Sequence, residues 1–438
     1  MNRLRPHALL AGASVAALAI VLALPAQAQP GGAGPGNQAP AAGAGAGRGG
    51  GGRGRGQAPG LGDGPWDFDT ETGSIHVSVV TKGLDHPWSL VFLPDGGMLV
   101  TERPGRLRVV RNGELDPTPI AGLPEIVGTS IGGLQGMALH PDYATNNLIY
   151  FAYTKPDPND RALTTLAVAR ARWNGGPALA NVEDIFVARD WYSGAMAAEN
   201  NRCCGQGPAS GSYGARIAFD DNNLLYITSG DRNWGEKAQD PQSHLGKILR
   251  VRDDGSIPAD NPFVGMQGYL PELYTIGHRN QTGLRFNEAT GELWSTEFGP
   301  RGGEELNLIK AGQNYGWILV SQGEHYNNEP KALGASNVEG MVDPVVVWGQ
   351  SGNPGNLIVY QGELFPNWQG NILVATMSRP GALERISFNS AGKVTGRERM
   401  LRGINQRFRD VAEGPDGKVY VLTDETAGAI LVIEPGPQ

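Results

Sequence analysis

The chain has 438 residues and a formal net charge of −8. No basic stripe interleaved with aromatics appears, which excludes the usual make-up of a nucleic-acid binder. The length exceeds that of a common single domain, yet repeat-closed β architectures reach this size as one unit.

Arg3 and Arg5 give a positive start, Ala8 to Leu24 form an apolar run, and Ala26-Gln27-Ala28 is a small-x-small cleavage site. Residues 1–28 therefore read as a secretory signal peptide, the run being too short and Ala-rich for a good spanning helix. Residues 29–64 are Gly, Ala, Pro and Gln with a few arginines (Arg48, Arg53, Arg55). Such a segment buries too little apolar surface to offset its ordering entropy and is predicted to be a disordered tether. No second apolar run is long enough to cross a membrane, so the mature chain is expected to be periplasmic or secreted and without a membrane span.

Residues 65–438 carry one recurring unit: an apolar strand, a turn, and a second apolar strand often ending in Thr. It runs from Trp88 to Thr101 and returns at Met137 to Ala152, Arg216 to Thr228, Leu284 to Thr296, Leu357 to Thr376 and Asp410 to Thr423. Asp95-Gly96, Asn222-Asn223, Thr290-Gly291 and Asp416-Gly417 supply tight hairpin turns. Arg106 to Val110 alternates charged and apolar residues, as a half-exposed strand would. Six units at spacings of about 50 to 80 residues predict an all-β, six-bladed β-propeller. The longest insertions lie between Ala152 and Arg216, Thr228 and Leu284, and Thr296 and Leu357, and the site is expected to be built from them.

Three stretches carry more than fold: Leu245 to Val251 with Asp254 to Pro262; Tyr274 to Leu284 continuing into Glu297 to Asn307 and Asn314-Tyr-Gly-Trp317; and Arg407-Phe-Arg-Asp410 with Gly414 to Gly417 and Leu422-Thr-Asp-Glu425. In these the chain resembles the soluble quinoprotein sugar dehydrogenases, the glucose/sorbosone dehydrogenase family that uses pyrroloquinoline quinone (PQQ). PQQ is a planar o-quinone with three carboxylates, and the planar fork of Arg suits a carboxylate. The resemblance implies cofactor contacts from Arg279, Asn280, Arg407 and Arg409. It implies a catalytic calcium on the backbone carbonyls of Gly299 and Pro300, and a structural calcium near Glu305 and Tyr315. Read without the resemblance, the arginines are loop ion pairs, Gly299-Pro300 is a turn and Glu305 is a solvated carboxylate.

The match breaks where the family places its base. A His is expected four residues before Arg216, and Ser212 stands there; a serine hydroxyl alone is a poor base at neutral pH. His140 and His278 belong to other motifs, His140 reading as structural. A cofactor-contacting Gln falls at Ile131, with Gln135 close but out of register, and a Lys falls near Ser378, beside Arg379. Cys203 and Cys204 are adjacent in a loop without counterpart in the family, and export favours their oxidation to a strained vicinal disulfide. A vicinal disulfide lies against PQQ in the quinoprotein alcohol dehydrogenases, and a remodelled loop offers Glu199 or Asp220 as alternative carboxylate bases.

The function this implies is PQQ- and calcium-dependent oxidation of an aldose, alcohol or aldehyde. Electrons pass to an external acceptor, since no Cys-x-x-Cys-His haem motif is present. A calcium-dependent hydrolase or lactonase on the same scaffold, or a non-catalytic ligand-binding propeller, remain alternatives.

Overall fold

A computed structural model describes residues 60–129, 131–193, 211–326, 330–349 and 352–437. The expected signal peptide, most of the tether, Glu199 and the Cys203–Cys204 pair lie outside the described residues. Within them the chain forms six antiparallel sheets, five of four strands and one of five. They are the blades of a six-bladed β-propeller.

The innermost strands are Pro87–Phe92, Leu134–Leu139, Gly214–Phe219, Gln281–Phe286, Pro354–Val359 and Phe408–Glu413, each beside the next and the last beside the first. The recurring unit of the sequence is the inner hairpin of each blade. Its turns take the expected conformation: Gly96, Asn223, Gly291 and Gly417 all have positive φ. The recurrent Thr also acquires a reason. Thr101 Oγ1 donates to the Gln135 carbonyl at 2.6 Å, Thr228 to Gln281 at 3.2 Å and Thr296 to Gly355 at 2.6 Å. Each of these bonds ties one blade to the inner strand of the next.

Hydrophobic burial follows the same division. Ile149, Phe151 and Tyr153 pack with Leu99 and Leu107 of the first blade, while Tyr150 and Ala152 from the same strand pack with Ile217, Leu225 and Leu249 of the third. Period-two alternation with both faces buried is the pattern of a sheet sandwiched between sheets. One expectation fails here. Arg106–Arg111 is not half-exposed: Arg108 is buried, with Nη1 3.3 Å from both oxygens of the buried Glu102 and Nη2 on the Asp116 carbonyl at 2.8 Å. Alternation of charge marked an internal ion pair rather than a wet face.

The sixth blade closes the ring. Gly73–Leu84 pairs antiparallel with Gly428–Pro435, from Ile75 opposite Pro435 to Leu84 opposite Gly428, with register shifts between Val79 and Thr81 and between Lys82 and Leu84. The inner strands then converge on Arg216, which is 3 % exposed. Its Nη1 lies 3.2 Å from Asp410 Oδ1 and 3.3 Å from Ser89 Oγ, its Nε donates to the Thr282 carbonyl at 2.8 Å and its Nη2 to the Trp88 carbonyl at 3.2 Å. Removing one partner of a buried ion pair strands the other charge. Arg216→Met should therefore cost about 3–5 kcal/mol in urea unfolding. Adding Asp410→Leu should return part of that loss, and a double variant no more stable than the single one would count against a specific pair.

Candidate functional site

The matched residues gather at one end of the channel, where the inner strands begin. Two walls form there, differing in charge balance.

The first wall belongs to the sixth and first blades and is organised by Asp424, 3 % exposed at the end of Val419–Thr423. Its Oδ2 accepts from Arg409 Nη2 at 2.6 Å and Arg407 Nη2 at 3.2 Å. Its Oδ1 lies 3.1 Å from His86 Nδ1 and 3.9 Å from Arg103 Nη1. Burial alone would raise the Asp424 carboxyl, but Arg409, His86, Arg407 and Arg103 hold it well below the usual carboxylate range. Three guanidiniums share one carboxylate, and Arg409 Nε, buried, has no hydrogen-bond partner among the described residues. The wall carries surplus positive charge and an unspent donor. Arg379 does not add to it, because Glu425 takes its Nη2 at 2.6 and 2.8 Å. Ser378 Oγ accepts from Arg399.

The second wall belongs to the third and fourth blades and is neutralised. Arg279 Nη1 donates to the Phe298 carbonyl at 3.0 Å, and its guanidinium stands 5.6 Å from the Trp317 ring centre. The Trp317 indole donates to Asp231 Oδ2 at 2.9 Å, and the Asp231 amide donates to the Arg279 carbonyl at 2.6 Å. Burial pushes the fully enclosed Asp231 carboxyl up, against the pull of Arg279. Asn280 Oδ1 accepts from the Gly214 amide at 3.0 Å, joining the two blades. Ser212, with φ of 52°, lies in the same network: its hydroxyl donates to Asn233 Oδ1 at 3.1 Å, and the Asn233 amide donates to Asp231 Oδ1 at 2.9 Å.

Gly299 and Pro300 follow the second strand of the fourth blade. Among the described residues the Gly299 carbonyl accepts no hydrogen bond, whereas the Pro300 carbonyl accepts the Tyr326 hydroxyl at 2.6 Å. Glu305 lies opposite Glu297 in the neighbouring strand and takes one bond from Asn307 Nδ2 at 3.1 Å. Burial, then the neighbouring Glu297, raises its carboxyl well above the ordinary range. Glu297 is pushed up to about 8 and its partner His278, 2.7 Å away, down to about 3, both by burial. Tyr315 stacks on His278 at 4.6 Å, but its hydroxyl is spent on the Leu308 carbonyl and the Lys310 amide. Any cation contact from Tyr315 therefore falls to its main chain.

Other candidates fall away. Asp220 caps its hairpin through the Asn222 and Leu224 amides at the far end of Gly214–Phe219, lining a separate cavity of about 780 Å³ that none of the matched cofactor or metal residues touches. His140 is buried, with its ring nitrogen on the Asp142 amide and Asn146. Gln135, beside Ile131, has a buried carbonyl oxygen with no partner among the described residues, so an open acceptor exists near the position where Gln was expected. The first long insertion supplies Ser212, the second Asp231 and the third Trp317 and Tyr326, but none supplies the cationic wall, which comes from short connections of the sixth and first blades. Asp424 and Trp317 sat inside motifs read from the sequence without a role. His86, Arg103, Asp231 and Tyr326 went unread, although the Gly-Asp turn after a blade strand was a signal for Asp231.

The glucose/sorbosone dehydrogenase family model matches residues 84–432. An aldose sugar dehydrogenase of Escherichia coli is 34% identical over 365 residues, covering 83% of this chain and 93% of the relative. Quinoprotein glucose dehydrogenase B of Acinetobacter calcoaceticus is 27% identical over 430 residues, covering 80% of this chain and 86% of the relative. The PQQ-bound aldose sugar dehydrogenase of Streptomyces coelicolor superimposes with a TM-score of 0.65 at 27% identity, over 84% of this chain and 99% of that one.

The depressed carboxyl of Asp424 has a pH signature. Its stabilisation is complete above the unfolded-state value of about 3.9 and is lost as pH falls through the lower folded value. Asp424→Asn should cost about 3 kcal/mol near neutral pH, and the gap to wild type should narrow below about pH 4. Urea unfolding across that range checks this, and a gap independent of pH would refute it.

Proposed function

The chain belongs to the glucose/sorbosone dehydrogenase family, and from that premise we propose that it is a periplasmic quinoprotein that oxidises an aldose sugar or a related alcohol or aldehyde, using PQQ and calcium. The observation that carries this reading is the surplus of guanidinium over carboxylate around Asp424. A ligand bearing several carboxylates fits that surplus and the unspent Arg409 Nε.

In this reading Arg407 and Arg409 hold cofactor carboxylates, with Asp424 keeping both forks aimed and charged. Arg279 and Asn280 hold the cofactor from the opposite wall, their own positions fixed by Phe298 and Gly214. The carbonyls of Gly299 and Pro300 hold calcium, a hard cation suited to oxygen donors. A second calcium would be held beside Glu305, whose carboxyl would release its proton to water as the cation binds, and the main chain of Tyr315. When bound, PQQ and calcium supply a polarised two-electron acceptor for the substrate C–H bond. Ser212 donates its one proton to Asn233, so its lone pairs can accept a hydrogen bond from the substrate hydroxyl without retaining the proton. It would orient the hydroxyl where a histidine would deprotonate it, the proton then passing to water, and slow turnover is expected. Electrons leave to an external acceptor.

Purified protein given PQQ and calcium should reduce a dye in the presence of aldoses only when both are added. No turnover and no binding-induced spectral change would end the quinoprotein reading in favour of hydrolysis or simple binding. Arg409→Ala should weaken PQQ binding by on the order of 10- to 100-fold, the worth of one charged hydrogen-bonding group. Ser212→His, at a left-handed position that His tolerates, should raise kcat by about ten-fold or more if a base is what the site lacks. An unchanged kcat with intact PQQ binding would show that proton removal is not limiting.

A further inference from the structure

Pro300 and Tyr326 lie on two loops of the fourth blade that glycines allow to touch. A Cβ on Gly323 would stand 2.2 Å from the Gly302 carbonyl oxygen and 2.8 Å from Pro300 Cδ, and one on Gly303 would stand 2.1 Å from the Gly323 amide. No side chain fits between the loops, and the Arg301–Glu324 bridge sets their register. From that position Tyr326 reaches back. Its hydroxyl donates to the Pro300 carbonyl at 2.6 Å, while Arg301 donates to the Tyr326 carbonyl at 2.8 Å and covers its ring at 5.3 Å. The residue is 39 % exposed and the bond to Pro300 only partly buried. The bond to Pro300 is thus not enforced by burial.

We propose that Tyr326 sets the cation affinity of the site by competing with the metal for the Pro300 carbonyl. The inference rests on the calcium reading above. A carbonyl oxygen already engaged by a hydroxyl proton is a poorer donor to a hard cation, and a cation on that oxygen repels the proton. Each therefore weakens the other by the same factor. Loading the cation would turn the Tyr326 hydroxyl away from Pro300, leaving its ring backed by Arg301.

The test is calcium titration of the PQQ-saturated protein by calorimetry, wild type against Tyr326→Phe. The variant keeps the ring and loses only the competing proton, so its calcium affinity should rise by about five-fold, the scale of one neutral hydrogen bond. Equal or weaker affinity in the variant, with calcium still bound by wild type, overturns the competition and leaves the calcium reading standing. If wild type takes up no calcium, that reading fails and the competition with it. A second measurement needs only the folded wild type. With 13Cζ-labelled tyrosine, the resonance of Tyr326, assigned by its loss in the variant, should shift on calcium addition, and a resonance unmoved by bound calcium refutes the proposal.

Discussion

A guanidinium buried at the convergence of six strands must find an acceptor for every donor, because water cannot supply them there. Arg216 finds its acceptors on the first, fourth and sixth blades while belonging to the third. Its ring contact with Trp88, at 4.0 Å, adds a further tie to the first blade. Burial lowers its pKa to about 10, against the pull of Asp410, which still leaves it charged at neutral pH. Asp410 must therefore stay opposite it. The inner strands cannot slide or tilt independently without breaking this set, and the residues that begin those strands inherit their positions from it. Arg407 and Arg409 flank Phe408 on one side of the axis, and Arg279 and Asn280 precede Gln281 on another.

The two walls so positioned are not equivalent. Around Asp424 three guanidiniums face one carboxylate, whereas Arg279 alone sits beside Asp231 and the Phe298 carbonyl. A planar anion entering the channel is therefore oriented before any specific contact forms, its acidic end drawn to the sixth blade. The face toward the fourth blade then meets carbonyl oxygens, which suit a cation rather than an acid. Charge asymmetry across one channel sets direction, and the hydrogen bonds refine it.

Much of the scaffold was readable from local chemistry. Hairpin turns with Gly or Asn at left-handed positions marked four of the six inner hairpins, and a Thr near the end of the second strand marked five. The matched site residues were legible because they sit in compact motifs. What escaped has a common physical character. Asp424 matters only because three guanidiniums and an imidazole from different connections converge on it, and Asp231 only because Trp317 and Arg279 arrive from the next blade. Arg108 misled for the same reason: its partner Glu102 lies on the neighbouring strand, so alternation along one strand looked like exposure. Pairing across blades has no period in the sequence.

The sixth blade is shared between the two ends of the described chain, since Gly73–Leu84 lies beside Gly428–Pro435. Without that last strand, Gly73–Leu84 has no partner on its inner side. Closure is a long-range event separated by nearly the whole sequence, the slow kind of contact to form. Until it happens Gly73–Leu84 keeps an open β edge able to pair with another molecule. Arg407, Arg409 and Asp424 belong to that blade, so the cationic wall is completed together with the closure of the ring.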